Sequence, residues 1–248
     1  MNLKTINEMK PLEAIAISLN AALYAAFGYL TYLGVFTPVI GVVRFWPAVI
    51  IPAVFATLFG PFVGGAGAAI GIFISDMMVH GNALLSITVG IPSNFIGFYL
   101  VGYIARKKIG LFSIMLGCLT GCFAAVFSVW LFWIGRLDFT TFVLFTVTCL
   151  ASVGLALAIG FAWPDWRSYG IGSIVGLGIG SAIIGVGLWL FSQLFLLPSG
   201  ESQVPLYFSV IWFIWTFGTE IPFLVFAGPP ILKACFLAFP SFKSKPKE

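Results

Sequence analysis

The chain has 248 residues, 60% of them hydrophobic and 8% charged, with a mean hydropathy of +1.10. A soluble globular protein carries about 25% charged residues, so too few charges exist here to cover a water-facing surface. No soluble domain with an active site of its own is expected. The net charge of +4 gathers in loops and the tail, and it speaks to membrane orientation rather than nucleic-acid binding.

Apolar runs of about 20 residues cross a hydrocarbon core of about 30 Å, and they do so as helices because a lipid-exposed backbone must satisfy itself. Eight spans are predicted, at 13–36, 45–60, 62–79, 84–104, 111–134, 139–162, 170–197 and 206–235. The fold class is therefore all-α, a polytopic membrane helix bundle in one domain. Before the first span stand Lys4 and Lys10, and Glu8 and Glu13 interrupt the start, so no cleavable leader is read. Pro47 and Pro52 each lack a backbone donor and are expected to bend or unwind the second span. The second and third spans are short and separated only by Gly60-Pro61, which suits a tight helical hairpin as well as two crossings. Gly64, Gly67 and Gly71 give the third span a small-residue face for close helix packing. Gly-Pro recurs at Gly228-Pro229, which is too little to define a repeat.

Basic residues set the orientation. Ten of them fall on one side of an eight-span chain, including Lys4, Lys10, Arg106, Lys107, Lys108, Arg167 and the tail lysines Lys243, Lys245 and Lys247. Arg44 and Arg136 fall on the other. Both termini are thus expected in the cytoplasm, with the chain in the plasma membrane and residues 236–248 forming a basic tail. Trp130, Trp133, Trp163, Trp166 and Tyr207 lie near span ends, where amphipathic rings anchor at the interface. Cys118, Cys122, Cys149 and Cys235 have no histidine or carboxylate nearby in sequence and read as small buried residues.

The polar residues of 41–108 converge on the predicted outer side. Arg44 opens the second span, Asp76 closes the third, and His80 and Asn82 occupy the following loop. Asn94 sits about 15 Å deep in the fourth span at about 1.5 Å per residue. Trp46 adjoins Arg44 at the mouth of this proposed pocket. Arg44 and Asp76 also suit a structural ion pair, and His80 a solvated loop residue. Glu220 lies well inside the eighth span, just before Pro222. At that depth it could serve a proton-coupled step, hold a cationic ligand or bond a neighbouring helix. No nucleotide-binding loop, metalloprotease helix, nucleophile elbow or paired carboxylates occur. Neither catalysis, a metal nor a cofactor is expected.

The Val43-Arg44-Phe45 segment before a Pro-rich short helix, the Phe59-Gly60-Pro61 turn with its following glycines, and Asp76 at the end of the third span resemble the S components of energy-coupling factor (ECF) transporters. In the first span, Ala21 with Ala25 and Ala22 with Ala26 add an Ala-x-x-x-Ala pattern like the one by which such components dock. The likeness covers residues 13–108, and 109–235 are further helices. It implies a receptor for a vitamin-like small molecule, working with a transmembrane T component and two cytoplasmic ATPases. S components usually have six spans, and their nickel and cobalt members begin Met-His, whereas this chain begins Met1-Asn2. Two other readings stand beside it. Eight-span membrane sensor domains share a Trp-Pro entry to the second helix and a Gly-rich segment, as in Trp46-Pro47 and Gly60, and this chain would then signal through a partner. A proton-coupled carrier using Glu220 is the other.

Overall fold

The computed structural model describes residues 11–33, 39–40, 43–162 and 164–240. Lys4, Lys10, Trp163 and the tail lysines lie outside these, as does the side chain of Cys118. Eight helices make up the described chain: α1 (Pro11–Leu33), α2 (Ile50–Phe59), α3 (Pro61–Val79), α4 (Ala83–Ala105), α5 (Leu111–Trp133), α6 (Phe139–Ala162), α7 (Pro164–Leu194) and α8 (Tyr207–Ala238). Six of them, α1, α3, α4, α6, α7 and α8, are long and apolar enough to cross a membrane. The protein is a multi-pass bundle of apolar helices. The second predicted span differs: it is the shorter apolar helix Pro47–Phe59, whose first turn is a 3-10 turn, Pro47–Val49. At about 1.5 Å per residue it rises about 20 Å, well short of the hydrocarbon core.

Two expectations are corrected by local geometry. Pro47 and Pro52 do not bend this helix but open it. They occupy its first turns, where backbone donors have no intrahelical partner to lose. The seventh helix starts at Pro164 rather than residue 170, again with proline in the first helical position. The fold also includes a two-residue antiparallel pairing, with Val39 opposite Arg44 and Ile40 opposite Val43. The two Gly-Pro steps behave differently. Gly60 has φ 122°, a left-handed value that favours glycine, and it splits α2 from α3. Gly228-Pro229 lies within α8, just after the π-helical stretch Phe223–Ala227 that follows Pro222. A wider turn there accommodates backbone whose proline donors are missing.

Small residues set the packing. On α1, Asn20 donates through Nδ2 to the carbonyls of Val63 (3.1 Å) and Gly64 (3.3 Å), clasping α3. A Cβ on Gly71 would come within 2.8 Å of the Ala21 carbonyl, and one on Gly64 within 2.2 Å of the Ala56 Cβ. The predicted glycine face therefore contacts α1 at Gly67 and Gly71 and α2 at Gly64. Helix α4 packs between α3 and α7, crossing α7 where Gly97 meets Gly176. At the far end from Arg44, Arg106 donates to the Leu58 carbonyl at 2.7 Å, satisfying the C-terminal turn of α2. Tyr24, Trp46, Phe98, Ile174, Phe217 and Leu224 belong to one buried cluster that ties α1, α4, α7 and α8 together. Cys149 is buried, but Cys122 is exposed, contrary to the sequence reading.

Candidate functional site

Arg44 stands opposite Val39 in the short antiparallel pairing, and its side chain is fixed by what lies on either side. Its guanidinium stands 4.6 Å from the centre of the Trp46 ring. The indole in turn lies over Gly28 of α1, where a Cβ would sit 2.0 Å from the ring. Glycine at 28 is thus the seat of Trp46, and Trp46 is the shelf for Arg44.

Asp76, in the last turns of α3, receives two side-chain hydrogen bonds and has a third nitrogen beside it. Arg44 Nη2 lies 2.6 Å from Oδ1, Ser86 Oγ donates to Oδ2 at 2.7 Å, and His80 Nε2 lies 3.4 Å from Oδ1. Gly90 makes room for this carboxylate, since a Cβ there would lie 2.8 Å from Oδ2. Ser86 and Gly90 bound a π-helical stretch in α4, whose wider turn brings both residues to Asp76. His80 Nδ1 accepts the Asn82 backbone N–H at 3.1 Å. The other ring nitrogen, Nε2, is the one that faces Asp76. His80 is a held member of this network rather than a solvated loop residue.

One turn further along α4, Asn94 is oriented at both ends. Its Oδ1 accepts from the Tyr24 hydroxyl at 2.7 Å, and its Nδ2 donates to the Gly90 carbonyl at 3.0 Å. Glu220 approaches from α8 and is 6% exposed. No hydrogen bond or ion pair joins its carboxylate to any described residue. Thr216, one turn before it, donates to the Trp212 carbonyl at 2.8 Å.

These groups surround one cavity of about 100 Å³. Arg44, Trp46, Asp76, His80, Asn94 and Glu220 all line it, closed on the apolar side by Val89, Ile184 and Leu188. A second recess of about 20 Å³ shares Asn94, Thr216 and Glu220 with it and continues between α4 and α7 toward Gly97 and Ser181. The larger space holds several waters or a small molecule. Asn82 is not on its wall. It caps the start of α4 by accepting the Leu85 N–H at 3.0 Å, so its role is to fix the turn that presents His80.

No protein-family model matches the chain, and neither a curated protein nor a solved structure is found similar to it. The chemistry of the site is therefore carried by its own residues. A buried ion pair with extra donors is an ordered electrostatic element. Beside it, two buried donors, Arg44 Nη1 and Trp46 Nε1, have no partner among the described residues. Buried polar groups are rarely left so, and the exceptions gather where a ligand completes them.

Sequence reasoning missed Tyr24, Ser86, Gly90 and Thr216. Two of them carried a readable signal. Thr216 lies four residues before Glu220, on the same helix face. Tyr24 lies midway along Asn20, Tyr24 and Gly28, a polar and small stripe at helical spacing in an otherwise large-residue helix. Ser86 and Gly90 reach Asp76 through the π-helical stretch, which no local pattern announces. Of the four alanines proposed for docking, Ala21 and Ala25 are buried against the chain's own bundle, so they cannot meet a partner. Ala22 and Ala26 face outward.

Proposed function

We propose that this chain is a membrane receptor for a small, polar, vitamin-like molecule, which it binds from outside the cell and delivers for uptake with an ATP-driven partner module. One observation carries the reading: six polar or aromatic residues from separate helices and loops line a single buried cavity at the end of the bundle away from Arg106 and Lys107. In a bilayer, ionisable groups inside spans are costly and mark ligand or ion paths. The basic-residue asymmetry supports a reading in which that end lies outside and both termini lie in the cytoplasm, in a multi-pass protein of the plasma membrane. The resemblance of residues 13–108 to ECF S components supplies the partners, a transmembrane T component and ATPase subunits. Ala22 and Ala26 are the docking face that remains available, and replacing both with leucine is expected to block association while sparing ligand binding.

Mass spectrometry of small molecules copurifying with the detergent-solubilised protein tests the reading. A single compound is expected in wild type and absent from Arg44→Ala and Asn94→Ala. Retention of the same compound by both variants places the pocket elsewhere.

A further inference from the structure

Among the described residues, the cavity wall carries two carboxyl groups, Asp76 and Glu220, and one guanidinium. Among the described residues, Arg44 is the only lysine or arginine on its wall, and Asp76 already meets that charge at 2.6 Å. His80 is engaged at both nitrogens, by the Asn82 N–H at Nδ1 and by Asp76 near Nε2. Glu220 is left over, buried and without a partner among the described residues.

The hydroxyls on the same wall have committed their protons elsewhere. Tyr24 donates to Asn94 and Thr216 to the Trp212 carbonyl, so what each still offers is an oxygen lone pair. Glu220, Tyr24 and Thr216 therefore form a set of acceptors. An ammonium group has three donors and no acceptor. It also requires an opposite charge once it leaves water. An ammonium supplies the opposite charge that a buried Glu220 needs in order to ionise, and a carboxylate ligand does not.

We propose that the occupant is a small protonated amine, its ammonium held by Glu220 with the Tyr24 and Thr216 oxygens accepting its remaining protons. This rests on the receptor reading and names its ligand class. The unpartnered Arg44 Nη1 and Trp46 Nε1 are then available to an acceptor at the other end of the molecule.

Three probes of equal length separate the alternatives: propylamine, 1-propanol and propionate, each tested for binding to the purified full-length protein by equilibrium dialysis and thermal stabilisation. At matched concentration and ionic strength near neutral pH, propylamine alone is expected to bind. Glu220→Gln keeps the side chain's shape and is expected to weaken propylamine by about tenfold or more, as loss of a charged hydrogen bond does. Glu220→Asp retains selectivity for the amine and controls for folding, and Thr216→Val weakens binding by a smaller factor. Equal binding of propionate or propanol, or propylamine binding unchanged in Glu220→Gln, overturns the amine assignment and leaves the receptor standing. Should none of the three bind, the copurifying molecule decides. A cation upholds the assignment, an anion or neutral molecule removes it alone, and no copurifying molecule removes the receptor reading as well.

Discussion

Helices α3 and α6 are both long and apolar enough to cross a membrane, and α6 is the more apolar of the two, yet α3 is the more deeply buried. Helix α3 buries Gly64, Gly65, Gly67, Ala68, Ala69 and Gly71, and near its end Ser75 and Asp76. Helix α6 turns Phe139, Val143, Leu144, Val147, Leu150 and Phe161 outward, and buries a narrower stripe that includes Phe145 and Cys149. In water the more apolar helix would be the inner one. In lipid the surroundings are as apolar as leucine, so small residues decide which helices approach closely. The same burial lets α3 hold a carboxylate, because neighbouring elements bring it donors. Helix α6 has no acidic or basic residue to place.

The sharpest way to break this comparison is at Asp76. Asp76→Ala leaves Arg44 buried and unpaired and is expected to destabilise the detergent-solubilised protein by about 3–5 kcal/mol in denaturant or thermal unfolding. Replacing the pair together, Arg44→Met with Asp76→Leu, is expected to recover most of that loss while ligand retention stays lost, because apolar residues of similar size often match a buried pair in stability. A single Asp76→Ala indistinguishable from wild type would mean that α3 carries its charge in contact with water.

Gly71→Leu comes next. The α1 backbone lies where the new side chain must go, and overpacking of this kind costs about 1–3 kcal/mol. The matched change on α6, Leu144→Ala at a site 58% exposed, is expected to stay within about 0.5 kcal/mol of wild type. If the two variants melt alike, residue size does not set which helix is inside.

The same contrast explains what the sequence made legible. Apolar runs mark helices whatever their depth, so all eight helical segments were predicted, and the Gly64–Gly71 face of α3 was visible as a spacing. Asp76, Arg44, Asn94 and Glu220 were visible because charged and amide groups are rare in apolar spans. What the sequence hid depends on backbone detail or long-range contact. Nothing near Pro47 and Pro52 says whether a proline opens a helix or bends it, since that depends on where the preceding turn ends. Ala21 and Ala22 are neighbours in one motif and face opposite ways, which only the docking of α1 on α3 decides. Asn82 resembles its polar neighbours in sequence, but its side chain is used up capping α4.

The smallest effect concerns the charge that immediately precedes α6. Asp138 precedes the first residue of the helix and accepts from Thr141 twice, from the backbone N–H at 3.0 Å and from the hydroxyl at 2.5 Å. The Thr141 hydroxyl first, and its N–H second, hold the Asp138 carboxyl below its ordinary range. A carboxyl depressed in the folded state contributes stability above its unfolded value of about 3.9 and loses that contribution as pH falls through the folded value. Asp138→Asn keeps a capping oxygen and removes the charge at a helix N-terminus. Melting temperatures of the two proteins across an acid series are therefore expected to show a small, constant wild-type advantage down to about pH 4 that narrows below it. An advantage that persists undiminished into stronger acid would separate the Asp138 contribution from its charge. It would then leave α6 with a cap that works by hydrogen bonding alone, while α3 still depends on the contact between Asp76 and Arg44.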